Sequence, residues 1–378
     1  MLYGKNGANR LESISHAKPV PLRKSNKRGS SPKQFGTPNH KAEINRKAHS
    51  MEIVRQRKEL PAGLKSVATI GIFDGLHRGH RELISELIRV AKAENVPAWV
   101  ITFDPHPAHL HAPEKNLRLI TSLTDRLSGM EALGVDGVLV EPYNWDLAGM
   151  TAEEFVKDYF VEGLGVKAVV VGQDVRFGVN NSGNLETLKE LGERYGFAVQ
   201  VLEEQCSKAG RRYSSTWVRD ALAEGNVEQV AHVLGSYHRV RGQVVHGHKR
   251  GRALGFPTAN LDAEMVGEVP GDGVYAGWLE RRVPGSNAVE RLAAAISVGT
   301  NPHFEGQKRT VEAHVLGRAD LNLYGSEVAV DFVKKLRPML VFNSLDELLA
   351  QMDEDLRQAA QILSVPVAGR VDPAAVTA

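Results

Sequence analysis

Cysteine is almost missing from this 378-residue chain, with Cys206 standing alone. One thiol excludes an internal disulfide framework, and no base beside it suggests a nucleophile. Long apolar runs are missing too: no stretch is long enough to span a bilayer, and the N-terminus lacks the apolar core of a secretory signal. The chain has no dense Cys/His cluster of the structural-zinc type and no G-x-x-x-x-G-K-[ST] loop. A cytoplasmic enzyme is the expectation, and any nucleotide site must be built from other motifs.

Length and a hydrophobic content of 42% suffice for two cored domains. The net charge of +2 hides an asymmetry. Residues 1–50 carry eleven lysines and arginines against Glu12 and Glu43, a balance of +9 that leaves −7 for the remainder. Pro, Ser, Asn and Gly lie among these charges with no apolar period, so residues 1–50 are expected to be a disordered basic extension. Such a segment reads either as an arm for nucleic acid or a membrane surface, or as a non-native extension. Met51-Glu52-Ile53-Val54-Arg55 looks like a natural start, which favours the second.

From residue 67 to about 201, apolar runs alternate with helical periods. Strands are expected at 67–72, 98–103, 135–140, 167–171 and 197–202, which predicts an α/β, Rossmann-like domain over 51–232 with a mostly parallel sheet. Thr151-Ala152-Glu153-Glu154 and residues 185–195 supply helices. Ligands of open parallel sheets lie beyond the carboxyl ends of the strands. Three unusual loops fall there: Gly71-Ile72-Phe73-Asp74-Gly75-Leu76-His77-Arg78-Gly79-His80, then Asp104-Pro105-His106-Pro107, then Gly172-Gln173-Asp174-Val175-Arg176-Phe177-Gly178.

The first loop has the chemistry of a phosphate site. Its glycines let the backbone approach a ligand, and the following helix, with Leu83, Ile84, Leu87, Ile88 and Ala91 on one face, aims unpaired N–H groups at an anion. Ser214-Ser215-Thr216-Trp217-Val218-Arg219 repeats the design, N-cap residues followed by an arginine in a first helical turn. Helix capping is the plain alternative at both places. The H-x-G-H spacing after a strand and glycine turn resembles the nucleotidyltransferase superfamily. That resemblance implies that His77 and His80 hold ATP phosphates and that Gly71, Phe73, Asp74, Gly79, Ser214, Ser215 and Thr216 surround the nucleotide. Arg219 would join the histidines in catalysis, while Asp104, Asp174 and Arg176 would position flavin or nucleotide.

Past residue 233 the pattern changes to short strands, expected at 237–246, 274–279, 293–298, 311–315 and 328–332. Strands without intervening helices predict a small antiparallel β-barrel or a sandwich over 233–364. One long helix closes it, opened by the capping box Ser344-Leu345-Asp346-Glu347. Residues 365–378 lack a period and are expected to be a loose tail. The run from His248 to Asn260 mixes glycine with base, as in a loop whose backbone around Gly251 and Gly255 can cradle phosphate while Lys249, Arg250 or Arg252 supplies charge; a solvated basic turn is the plain alternative for Lys249-Arg250. Glu312 lies where alternate positions are apolar, so a carboxylate facing inward there requires a reason.

Gly255-Phe256-Pro257-Thr258-Ala259-Asn260 closely resembles the riboflavin kinase signature, and the likeness continues through Gly273-Val274-Tyr275-Ala276, Val311-Glu312-Ala313-His314 and Leu323-Tyr324-Gly325. From about Met51 to Ile362, both halves together resemble the bacterial bifunctional riboflavin kinase/FAD synthetases. The resemblance implies that Thr258 and Asn260 bind Mg2+ with nucleotide phosphates, that Glu312 is the base, and that Arg337 lies near flavin, with a surface ion pair as its alternative. The reactions implied are riboflavin plus ATP to FMN, then FMN plus ATP to FAD and pyrophosphate, with no membrane or nucleic-acid partner. Gly317 stands where the pattern commonly has an acidic residue, and His303 where threonine is common. Rival readings are a chain with one active half and a flavin-responsive nucleic-acid-binding protein.

Overall fold

Alternating apolar runs and helical periods build a six-stranded parallel sheet, in a computed structural model that describes residues 50–247, 250–262, 264–286, 288–300 and 309–375. The expected extension over 1–50 therefore falls outside the described residues apart from Ser50, as do Lys249 and His303. The sheet contains β1 (Glu52–Val54), β2 (Ser66–Ile70), β3 (Ala98–Asp104), β4 (Gly137–Pro142), β5 (Val166–Gly172) and β6 (Ala198–Leu202), in the order β1-β4-β3-β2-β5-β6. All strands run parallel, and the side on which successive strands are added switches between β2 and β5. A crevice opens there.

Both faces of the sheet are covered, which is why its strands read as unbroken apolar runs. Val67, Ala98 and Val100 meet Ile84, Leu87 and Ala91 of α1 (Arg78–Glu94) on one face. Ala68, Trp99 and Ile101 meet Phe155, Phe160 and Leu164 on the other. Strand β1, which the sequence pattern does not announce, is a three-residue edge parallel to β4, too short to show a period. Two further helices matter below: α2 (Leu123–Leu133), capped by Ser122, and α3 (Ser215–Ala223), capped by Ser214. The next helix, α4 (Val227–Leu234), leads into the second half and packs on its strands.

That half is a closed antiparallel barrel with the order β10-β11-β8-β7-β12-β9. Its strands are β7 (His238–Val245), β8 (Ala259–Leu261), β9 (Gly273–Arg282), β10 (Val289–Thr300), β11 (Arg309–Val315) and β12 (Glu327–Arg337). Val240, Leu279, Ile296, Val311 and Phe332 fill it. Helix α5 (Leu345–Leu363) lays Leu356, Ala359, Ala360 and Leu363 against the outside. Its N-cap, Ser344, accepts from Glu347 N–H, while the Glu347 carboxylate accepts from Asn343 N–H instead of the cap's own amide. Strand β8 overlaps the end of the Phe256–Asn260 run and continues to Leu261. Residues after α5 turn back over the barrel: Val371 N–H donates to Gly255 O over 3.1 Å and Arg370 pairs with Asp353 at 3.0 Å, so the segment expected to be loose has fixed attachments.

Sheet and barrel belong to one compact unit joined by an ion pair. Asp125, in the first turn of α2, accepts from Arg241 of β7 at 2.7–3.0 Å. Close by, His238 is fully buried with Nε2 against Glu268 O at 2.6 Å, and burial pushes its imidazole down to about 4. Unfolded, the same ring titrates near its ordinary value of 6.5. Below that pH the unfolded chain takes up a proton that the native chain refuses, so stability falls as pH drops from about 6.5 to 4. His77, His80 and His314, also depressed by burial, act in the same direction. The expected share of His238 is on the order of 3 kcal/mol. Denaturant titrations between pH 7 and 4 should show a shallower decline for His238→Gln than for the parent, and equal slopes would contradict the assignment.

Candidate active sites

The turn between β2 and α1 is strained where it meets the crevice. Phe73 and Leu76 adopt left-handed φ values of 56° and 43°, which non-glycine residues rarely take, on either side of Gly75 at 84°. This contortion brings His77 to the N-cap of α1, where its Nδ1 accepts from His80 N–H at 3.3 Å. The two imidazoles stack with centroids 3.6 Å apart. Burial, aided by the Arg212 charge, lowers His77 to about 4, and burial followed by His77 pushes His80 well below its ordinary value. Both rings are neutral near pH 7. With Nδ1 used as an acceptor, the His77 proton resides on Nε2, which makes that nitrogen a donor.

Beside this helix start lies a cavity of about 570 Å³ at the carboxyl ends of β2 and β5. Gly71, Phe73, His77, Gly79 and His80 line one wall, while Asp174, Arg176, Ser214 and Ser215 line the other. Phe103, Phe155 and Phe177 add apolar surface, enough variety for a ligand with a flat ring and a charged end. Among the described residues that line it, Asp74, Asp104, Thr216 and Arg219 are absent.

Asp74 turns inward instead. Its buried carboxylate accepts from Ile120 N–H at 3.0 and 3.1 Å, Thr121 N–H at 3.2 Å and Arg219 Nη2 at 2.5 Å. Its backbone oxygen takes the Ser215 hydroxyl at 2.9 Å. Arg219 is thus held behind the loop, reaching also to Arg118 O. Beside Arg176, the cavity wall carries a second cation, Arg212, which pairs with Asp174 and, at 2.7 Å, with Glu204. Pattern reading missed Arg212, although it stands two residues before the Ser214–Thr216 run in the same segment.

In the barrel, β8 and β11 are paired so that Asn260 faces Glu312. Val311, Ala313, Ala259 and Leu261 point into the core, which by the period of two puts Glu312 and Asn260 on the outer face, not inward. Thr258 Oγ1 lies 3.4 Å from Glu312 Oε2, and Asn260 Nδ2 donates to Thr258 Oγ1 at 3.2 Å. Next to them is a small cavity of about 40 Å³, lined in part by Arg252, Thr258, Arg318 and Tyr324. Arg252 reaches Tyr324 Oη at 3.1 Å, and Gly251 and Gly255 form the turn around it. Arg337 meets Asp355 of α5 at 2.8 Å in an ion pair largely shielded from solvent, not the surface pair of the alternative reading. Among the described residues no group of three His, Cys, Asp or Glu side chains could hold a metal.

These two sites match known families in order along the chain. The family described as FAD synthetase matches residues 61–217, and the one described as riboflavin kinase matches residues 234–363. A bifunctional riboflavin kinase/FMN adenylyltransferase of Escherichia coli strain K12 is 38% identical over 293 residues, 76% of this chain and 90% of that protein. The Bacillus subtilis strain 168 protein of the same name is 31% identical over 303 residues, 79% of this chain and 93% of its own length. The chain belongs to the bifunctional riboflavin kinase/FMN adenylyltransferase family. A solved Streptococcus pneumoniae structure described as a macrolide-efflux protein shares the fold, with a TM-score of 0.73 and 29% identity over 82% of this chain and 98% of that one. No helix among the described residues of this family member is long and apolar enough to cross a membrane.

Asp74 offers a test of how the adenylyltransferase half holds its loop. Asp74→Ala would leave the Ile120 and Thr121 amides and the Arg219 guanidinium without their acceptor, and losing one partner of a buried ion pair costs about 3–5 kcal/mol. Denaturant unfolding should show a loss near the lower end of that range, since Arg219 is partly exposed. A loss below about 1 kcal/mol, the scale of one ordinary hydrogen bond, would mean that the carboxylate is not a structural node.

Proposed function

We propose that the cavity at the switch between β2 and β5 joins AMP to FMN, and that the Thr258, Asn260 and Glu312 cluster serves phosphorylation of riboflavin. The carrying observation is that one chain holds two separate sites: neutral donors at a helix start in the sheet, and a carboxylate beside two neutral oxygens on the barrel. The chain makes FMN from riboflavin and ATP, then FAD from FMN and ATP. Residues 51–232 form the adenylyltransferase domain and residues 233–364 the kinase domain in this reading. The expected compartment is the cytoplasm, which supplies ATP. No membrane or nucleic-acid partner is invoked.

In the kinase step the primary alcohol of riboflavin attacks the γ-phosphorus of ATP, the bond to the β-phosphate oxygen breaks, and ADP leaves. Glu312 takes the alcohol proton as the new bond forms. Hard, neutral oxygens suit Mg2+, which keeps several waters and binds few protein groups beside phosphate, so Thr258 and Asn260 fit its needs. When bound, the ion would neutralise phosphate charge. Lys249, Gly251, Arg252 and Gly255 are assigned to the nucleotide phosphates and Arg337, through its contact with α5, to shaping the flavin side.

In the adenylyl step an FMN phosphate oxygen attacks the α-phosphorus of the second ATP and pyrophosphate leaves. The nucleophile is already anionic, so the site needs positioning and charge stabilisation, not a strong base. His77 and His80 supply donors, Ser214, Ser215 and Thr216 the second helix start, and Gly71, Phe73 and Gly79 the close backbone. Arg212 would exchange its carboxylate partners for phosphate, with Asp174, Arg176 and Asp104 positioning the flavin or nucleotide. Asp74 and Arg219 act from behind by fixing the loop.

Two variants separate these assignments by product chromatography with riboflavin, ATP and Mg2+. The His77→Ala/His80→Ala chain should accumulate FMN while FAD formation drops by ~10² or more, because lost transition-state donors cost ~10²–10³ in rate. Equal loss of both products from folded protein would argue against separate sites.

Glu312→Gln should do the reverse. FMN formation from riboflavin should fall by ~10²–10⁴, the usual worth of a general base, while added FMN is still converted to FAD. Phosphorylation at the parent rate would make Glu312 structural.

A further inference from the structure

Beyond the stretch that matches the riboflavin kinase family, 234–363, the described chain stays against the barrel and α5 as far as Val371. Val365 packs against the apolar patch between α5 and the barrel. Further along, Ala368 comes against Gly317, so closely that a Cβ at Gly317 would lie 2.9 Å from the alanine's own Cβ. Arg370 ties the segment to α5 through Asp353. Val371 then bonds to Gly255 through its N–H, and its carbonyl oxygen would lie 2.6 Å from any Cβ at Gly255.

The two glycines touched have something in common. Gly255 ends the turn that carries Arg252, and Gly317 precedes Arg318 in the loop that leads to Tyr324. Arg252, Arg318 and Tyr324 line the small cavity beside Thr258, and Arg252 bonds to Tyr324 across it. Both glycines hold left-handed φ values, 83° and 66°, that a side chain would resist. An acidic residue at 317, common in the family pattern, would meet the left-handed backbone and Ala368 together.

We propose that residues 368–371 are a positioning strap for the kinase site, holding the Gly255 turn and the Gly317 loop at the separation that receives ATP. The inference rests on the proposed assignment of the Gly251–Gly255 turn to nucleotide phosphates. Ordering two loops before the ligand arrives lowers the entropy that binding must otherwise remove. The effect belongs in ATP affinity. Chemistry at Glu312 and the adenylyltransferase cavity should not feel it.

Two variants test the strap, one ending at Val365 and one full-length with Val371→Pro, which deletes the N–H donor and also fixes the backbone at 371 and restricts Arg370, the other attachment of the strap. Riboflavin phosphorylation should show an ATP KM raised about three- to ten-fold, the scale of one hydrogen bond and its packing. The kcat should stay near the parent value, as should FMN adenylylation. A merely structural tail would instead lower the active fraction, cutting kcat at unchanged KM. An unchanged ATP KM in both variants, with the parent an active kinase, overturns the strap and leaves the functional reading intact. A parent unable to phosphorylate riboflavin overturns that reading and the strap with it.

Discussion

The adenylyltransferase half is organised around one desolvated carboxylate. Asp74 gathers two backbone amides from 120–121, a guanidinium from α3 and, through its carbonyl, the Ser215 hydroxyl. A buried carboxylate is tolerable only when it is bonded in this way, because removing charge from water is costly and the loss must be offset by close donors. Satisfying Asp74 therefore dictates where three segments far apart in sequence must lie. The strained Phe73 and Leu76 backbone is held by that arrangement, and with it the direction in which His77 enters α1.

The same anchor extends to the barrel. Ser122 caps α2 directly after the two amides bound by Asp74, Asp125 in the first turn takes Arg241 of β7, and its neighbour Arg126 donates to Ile72 O at 2.6 Å. One helical turn thus touches the β2–α1 loop on one side and the kinase half on the other. Arg126 is almost wholly buried, with Nε and Nη2 lacking a partner among the described residues. Its charge faces Asp74 and Asp104 without a direct bond, and burial lowers its pKa. Sheet and barrel thus meet through these charged contacts as well as through α4, which packs on the barrel strands.

Much of this was legible because it is local. Strand and helix patterns, the caps at Thr151, Ser214 and Ser344, and the Gly255–Asn260 run all depend on neighbours within a few positions. What failed to show depends on long-range pairing. Asp74 reads as a ligand contact from its loop, yet its partner Arg219 is 145 residues away, and nothing in either segment announces the pair. The strand pattern leaves Glu312 either inward or as a strand-edge glutamate facing water, because its side is set by which neighbours enter the core, and Val311 and Ala313 do. Strands β1 and β8 have three residues each, too few for a period to emerge.

The difference between the two sites follows from the nucleophiles they are proposed to serve. An alcohol attacks phosphorus only as it gives up a proton, so the barrel needs a carboxylate within reach, and it has one next to the neutral Thr258 and Asn260. A phosphate monoester has lost most of its second proton at pH 7, its second pKa being near 6. A carboxylate aimed at it would repel it, and a base would have nothing to remove. The wall formed by His77 and His80 avoids both problems, since rings kept neutral by burial donate hydrogen bonds without competing for the nucleophile's charge. Asp174 and Glu204, which do face that cavity, are paired with Arg212. That pairing reduces the negative field an incoming triphosphate would meet and keeps a guanidinium on the wall ready to be exchanged.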